Sequence, residues 1–204
     1  MGPMDATAWD RRYAETELVW SVEPNRFVVA ELAGLAPGRA LDLAAGEGRN
    51  ALWLAGRGWR VTAVDFSAVA IDKGRRLGQR AGVVVDWVVG DVLAYQPGGV
   101  DFDLVIIAYL HLPPAAMSTV WSRAVRALAP GGVLLVVGHD RTNLDEGTGG
   151  PQDPTLLYEP DAITAHLAGL HVDRAERVRR PVSADRVAVD TLVRAHRARP
   201  ATVA

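Results

Sequence analysis

The strongest constraint in this sequence is an alternation, over residues 39–138, of short apolar, largely β-branched runs with longer stretches of helical periodicity. Strands are expected at Arg39–Leu43, Arg60–Asp65, Val83–Val89, Phe102–Ile107 and Val133–Gly138, with helices at Asn50–Gly56, Ala68–Ala81 and Pro114–Leu128 between them. Several runs are apolar at every position rather than at every second one, the pattern of strands covered on both faces. Such a chain lays its strands parallel and packs helices on both sides of one sheet.

Flanking segments complete the outline. Asp5–Tyr13 and Pro24–Leu35 read as helices. In the second, Phe27, Val28, Glu31, Leu32 and Leu35 keep helical spacing and Pro24 suits a first turn. Beyond the fifth strand, His139–Pro154 reads as a long loop, with Asp145–Pro154 of mobile-loop composition, and Pro160–Gly169 as a helix. His171–Arg180 and Arg186–Ala195 read as strands joined by a turn at Pro181–Asp185. The expected fold is α/β: a Rossmann-like, seven-stranded, mostly parallel sheet with helices on both faces and a C-terminal antiparallel hairpin. Residues 1–196 are expected to form one domain, with 1–36 as a helical lid segment and 197–204 as a disordered tail. The first three residues read as an appendage before a natural start at Met4.

Composition narrows the function. The longest apolar stretches, such as Leu104–Leu110, are strand-sized, so no membrane partner is expected. The N-terminus lacks an apolar signal core, which points to the cytoplasm. The absence of cysteine removes disulfides, thiol nucleophiles and thiolate metal sites. A net charge of −2 gives no broad basic surface, so no nucleic-acid partner is expected. The local cluster Arg174, Arg177, Arg179 and Arg180 reads as the solvated face of a strand.

The segment Leu41-Asp42-Leu43-Ala44-Ala45-Gly46-Glu47-Gly48-Arg49-Asn50-Ala51 leaves the first strand and enters a helix. Glycines at 46 and 48 permit a tight turn and close approach of a ligand to backbone amides at a helix start. Alone, this pattern also fits a nicotinamide-dinucleotide fingerprint. Three carboxylates shift the balance. Asp42 stands where it can receive an ammonium group. Asp65, at the end of the second strand, can accept from two ribose hydroxyls, and Asp91, after the third, from an adenine amine. Each has a plainer reading: Asp42 as a turn cap, Asp65 or Ser67 as a helix N-cap, Gly90-Asp91 as an ordinary turn.

The run LDLAAGEGRNALWLAGRGWRVTAVDFS resembles the first two motifs of class I S-adenosylmethionine-dependent methyltransferases, and most nearly the branch of the tellurite-resistance methyltransferase TehB and the thiopurine methyltransferase-like proteins. Trp9-Asp10-Arg11-Arg12-Tyr13, Pro24-Asn25-Arg26-Phe27, Gly90-Asp91 and Leu128-Ala129-Pro130-Gly131-Gly132 extend the likeness from about Trp9 to Ala195. The resemblance implies S-adenosyl-L-methionine as cofactor, S-adenosyl-L-homocysteine as product, and cofactor contacts from Asp42, Ala44, Gly46, Gly48, Asn50, Asp65, Phe66, Ser67, Asp91, Val92 and Ala108. Ala44 and Ala45 depart from the glycine and small residue usual there, and an alanine at 44 is strained if that backbone needs positive φ.

Methyl transfer from a sulfonium is an in-line displacement, so the protein mainly positions the acceptor and excludes water. Ala108-Tyr109-Leu110-His111-Leu112 follows the fourth strand and lacks the Asn/Asp-Pro-Pro-Tyr/Phe motif of amino-methylating enzymes. Tyr109 and His111 are candidates to touch the acceptor, His111 as base; local hydrogen bonding of His111 is an equal reading. Trp9, Tyr13, Trp20 and Arg26 are the expected lid and substrate residues, joined at the cleft mouth by His139 and Asp140. Two such ligands without a third make no metal site, and no metal is expected. The reading is transfer to a small molecule by a monomer or homodimer. Its rivals are a non-catalytic binder of the same cofactor, an RNA methyltransferase, and a NAD(P)-dependent reductase, which lacks a Tyr-x-x-x-Lys pair.

Overall fold

The computed structural model describes residues 6–19, 21–99 and 101–200. Its helices are α1 (Ala6–Ala14), α2 (Arg26–Leu32), α3 (Arg49–Ala55), α4 (Ala68–Ala81), α5 (Pro114–Ala127), the short α6 (Asn143–Glu146) and α7 (Pro160–Thr164). The strands are β1 (Arg39–Leu43), β2 (Arg60–Asp65), β3 (Asp86–Val89), β4 (Phe102–Ala108), β5 (Leu128–His139), β6 (Leu170–Pro181) and β7 (Val187–Arg197). They form one seven-stranded sheet in the order β3-β2-β1-β4-β5-β7-β6. β1 to β5 pair in parallel, and β7 runs antiparallel to both β5 and β6. The expected α/β sheet and terminal hairpin are therefore present.

The unbroken apolar strands follow from cover on both faces. Along β4, Val105 and Ile107 join one core with Trp121 of α5 and Ile163 of α7, while Leu104 and Ile106 join the other with Val28 and Leu32 of α2 and Leu54 of α3. β5 divides its residues in the same way. From Leu104 to Ile107 and from Val133 to Val137 every side chain is buried, and none of them is polar.

Differences from the sequence reading lie at element ends. α2 begins after Asn25, whose side chain accepts from Phe27 N and Val28 N, so Pro24 precedes the cap rather than opening the helix. β3 lacks Val83–Val85 because Val83 N–H closes the end of α4 on Gly78 O. β5 starts earlier, since Leu128 pairs with Phe102 before the chain detours through residues 129–132 and regains register at Val133. α7 stops at Thr164, after which tighter i to i+3 bonds carry the chain to Leu170. The long loop after β5 contains α6 and is tied down by Asn143, which accepts from Val189 N and donates to Gly149 O. β7 runs through Arg197, which donates to Val125 O, so Arg197 belongs to the strand rather than to the expected tail.

Candidate functional site

The chain winds outward to either side of β1, so the sheet reverses direction between β1 and β4. The crevice outside the carboxyl ends of strands at such a point is where sheets of this kind take ligands. Asp42 lies there, 1% exposed, with Oδ2 lacking a hydrogen-bond partner among the described residues. Burial, helped by neighbouring Asp65, pushes its carboxyl up to about 7. A buried carboxyl of this kind is poor as a lone anion and well placed to meet a cation.

Asp65 accepts from Gly46 N at 2.8 Å through Oδ2 and from Ser67 N at 2.9 Å through Oδ1. It stitches the glycine loop to the start of α4, and each oxygen keeps a further lone pair for a ligand. Ser67 is the N-cap of α4, accepting from Ala70 N. Asp91 is exposed and accepts from Leu93 N at 2.8 Å. The glycine loop is left-handed at three points, Ala44 (φ 59°), Gly46 (57°) and Gly48 (79°). At Gly48 a Cβ would stand 2.2 Å from the Trp87 ring, so this glycine makes room for an indole rather than for a ligand.

The N-terminal segment is bonded over this crevice. Asp10 accepts from Ser67 Oγ, and Val19 N donates to Glu47 in the glycine loop at 3.1 Å. Lys73, the only lysine, donates to Tyr13 O, Thr16 O and Glu47. Asn25 N donates to Asn50 Oδ1 at 2.9 Å, so that Asn50 oxygen holds the segment down. Tyr13 is buried against Trp9, with ring centroids 5.5 Å apart. Arg26 is exposed and stacks over Phe27, away from the cluster just described. Trp20 lies outside the described residues. Cavities of about 500 and 420 Å³ sit elsewhere, the first at the amino ends of β1 to β4 and the second beside Tyr95 and Arg123.

A second cluster forms where β4 and β5 end and β7 begins. Tyr109 has φ 59°; its hydroxyl donates to Asp190 Oδ2 at 2.7 Å and accepts from Asn25 Nδ2 at 3.2 Å. Asp190 is fully buried on β7, opposite His139 of β5, and also accepts from Arg180 Nε at 2.7 Å. His139 Nδ1 stands 3.4 Å from Asp190 Oδ1, and neither atom has another partner among the described residues. Burial lowers the His139 pKa, which keeps the ring neutral near pH 7. Gly150 lies on that ring, where a Cβ would come within 2.6 Å of it. Arg49, largely buried, is within electrostatic reach of Asp42 on one side and of Tyr109 and Arg180 on the other.

Two expectations change, and a third gains detail. His111 Nδ1 bonds Leu156 O at 2.7 Å and Nε2 accepts from His139 N, so both ring nitrogens serve the local backbone. Burial pushes its pKa down to about 4, which suits packing rather than proton abstraction. Asp140 is no cleft residue: fully buried, it accepts from Thr142, Arg177 and Thr191 and locks the turn after β5. The arginines of β6 are largely solvated as expected, Arg180 excepted, and they are also paired, Arg174, Arg177, Arg179 and Arg180 with Glu31, Asp140, Glu146 and Asp190. Ala44 and Ala108 end their strands half-buried, as does Phe66 after β2, while Val92 is buried. Sequence reasoning missed Asn25, Glu47, Arg49, Lys73, Arg180 and Asp190. Two of these carried a signal: the solitary lysine, and an acidic residue after the apolar run Val187–Val189 and before Leu192-Val193.

Residues 40–132 match the family described as a methyltransferase domain. The tRNA 5-carboxymethoxyuridine methyltransferase of Escherichia coli (strain K12) is 31% identical over 113 residues, 52% of this chain and 42% of that protein. A demethylmenaquinone methyltransferase of Thermus thermophilus is 38% identical over 105 residues, 50% of this chain and 47% of that protein. The chain thus spans less than half the length of these curated relatives. Among solved structures, one described as converting a disulfide bond into a thioacetal group during echinomycin biosynthesis superposes with a TM-score of 0.78, at 24% identity over 97% of this chain and 93% of that one. TehB from Haemophilus influenzae gives a TM-score of 0.72 at 17% identity, over 85% of this chain and 62% of that one. These two likenesses speak for the fold.

Proposed function

We propose that this chain is a class I S-adenosylmethionine-dependent methyltransferase that binds that cofactor between β1, β2 and β3 and methylates a small-molecule acceptor held beside the packed rings of Tyr109 and His139. The unpartnered, buried oxygen of Asp42 carries the reading. A carboxyl that titrates near 7 is ready to ionise against an ammonium, and nothing in a nicotinamide dinucleotide asks for that group. Asp65 and Asp91, with lone pairs to spare, are the partners for ribose and adenine. When bound, the cofactor supplies an electrophilic methyl group; the protein holds the acceptor in line and excludes water.

The acceptor side has the parts for that work. Asp190 receives Tyr109 and Arg180 and faces the Nδ1 of His139, which favours the tautomer with its proton on Nδ1. The other ring nitrogen then offers its lone pair to an acceptor proton. An acceptor that must lose a proton, a hydroxyl or thiol, fits this arrangement best. An RNA acceptor is favoured only by the name of the Escherichia coli relative. The acidic net charge and the pairing of the β6 arginines with carboxylates leave little basic surface for a phosphate backbone.

Calorimetric titration with S-adenosylmethionine, S-adenosylhomocysteine and NADH tests the cofactor reading. Binding of both adenosyl ligands, weakened at least about tenfold by Asp65→Ala, and no binding of NADH are expected from the lost ribose contacts. Binding of NADH alone, or of none of the three, overturns it.

A further inference from the structure

The far end of the terminal hairpin carries a group of side chains that the methyltransferase reading does not use. His171 of β6 and His196 of β7 are directly opposed across the antiparallel pair, with ring centroids 5.0 Å apart. Opposed residues share one face of a sheet. Asp173 is two residues beyond His171 and so projects to the same face. It is also the extra residue of a β-bulge: Val172 pairs with Ala195 and Arg174 with Arg194, which leaves Asp173 without a cross-strand partner. Its Oδ1 is therefore free to lean between the rings, 2.8 Å from His196 Nδ1 and 3.5 Å from His171 Nδ1.

We propose that His171, Asp173 and His196 form a binding site for a divalent transition-metal ion, Zn²⁺ in the first instance. The three ligand atoms lie within 4.8 Å of one another. Ligands about 2.0–2.2 Å from a tetrahedral zinc ion are separated by about 3.3 Å, so small side-chain rotations bring all three into its shell. Two imidazoles with one carboxylate select Zn²⁺ over Ca²⁺ or Mg²⁺, which want an oxygen shell. Of the nearby arginines, Arg174 pairs with Glu31 and Glu176, Arg194 pairs with Glu31, and Arg197 donates to Val125 O. Three protein ligands leave one position for water or for a side chain of another molecule. The site lies six residues along β7 from Asp190, roughly 20 Å away, so it belongs to the hairpin end and not to the crevice. A bound ion would clip the start of β6 to the end of β7 and hold the exposed edge strand in register.

The test uses the full chain without a histidine tag, titrated with ZnCl₂ by calorimetry and with Co²⁺ as a visible-light probe of coordination. One equivalent of Zn²⁺ is expected, with a rise in Tm, tetrahedral-type Co²⁺ absorption, and affinity lowered about tenfold or more by His171→Ala and by His196→Ala. Because His171 is exposed, its replacement should leave the fold intact, checked by circular dichroism. His166→Ala is the control and should bind as the parent does. No Zn²⁺ binding by the folded parent, or binding unchanged in either the His171 or the His196 variant, overturns the site. Neither result bears on cofactor binding.

Discussion

The two halves of the crevice are built from different kinds of sequence information. The half at the ends of β1, β2 and β3 comes from one stretch, residues 41–67, plus Asp91, and its polar contacts are mostly side chain to nearby backbone. The half at the ends of β4, β5 and β7 brings together Asn25, Tyr109, His139, Arg180 and Asp190, and its contacts run between side chains as many as 84 residues apart. On the proposed function, the first half recognises a constant ligand, so its chemistry lies in a local motif. The second half would then hold the methyl acceptor, and only the folded sheet assembles it.

If the halves are separate devices, damage to one should spare the other, and Asp190 is the sharpest place to try. Asp190→Ala strands a half-buried Arg180 and removes the acceptor of Tyr109, which should destabilise the fold by about 2–4 kcal/mol in urea unfolding. Asp190→Asn keeps the shape and should cost less. Whichever variant is folded should still bind S-adenosylhomocysteine within about threefold of the parent, since none of the cofactor-side contacts passes through Asp190. Loss of that binding in a folded Asp190→Asn protein would show that the two halves form one unit.

The converse experiment acts on the cofactor half through pH. Asp42 titrates near 4 when unfolded and at about 7 when folded, so between these values the folded chain holds a proton that the unfolded chain has released. The stability this confers is complete below pH 4 and is lost as pH rises through 7, a change on the order of 4 kcal/mol. Asp42→Asn should flatten that slope and be the more stable protein at pH 8, as measured by denaturant unfolding across the range. Cofactor affinity in the parent should move the opposite way and rise with pH, because the ammonium pairs with the ionised carboxylate. An affinity that does not change between pH 5.5 and 8 would remove Asp42 from ammonium binding.

The same contrast explains what could be read before the fold was known. Asp42, Asp65 and the left-handed glycines announce themselves because strand, turn and helix start lie within a few residues, so spacing fixes their relative position. His139 could be placed at the end of a strand, but its partner Asp190 lies 51 residues downstream, and only the antiparallel return of β7 brings it opposite. His111 looked like a base because its ordinary pKa is near neutral; the backbone oxygen of Leu156 and the burial that disqualify it are tertiary facts. The arginines of β6 could be read as solvated but not as paired, because their carboxylate partners come from α2, the turn after β5, α6 and β7.

Each half also holds one strained residue, Ala44 after β1 and Tyr109 after β4, both with φ 59°. The two should respond differently to glycine. At Tyr109 the strain is held in place by the hydroxyl, which bonds Asn25 and Asp190, so a glycine there loses more than it relieves. Ala44 offers only a methyl group, and its left-handed backbone costs about 1–2 kcal/mol. Glycine removes that penalty but raises the entropy of the unfolded chain by about 0.5–1 kcal/mol, leaving a small net gain. Ala44→Gly should therefore raise Tm by about 1–3 °C, a shift that scanning calorimetry resolves. A fall in Tm would mean that the alanine methyl contributes more through its packing on β1 than its backbone loses. The strain at 44 would then be part of how this loop is set, as it is at Tyr109.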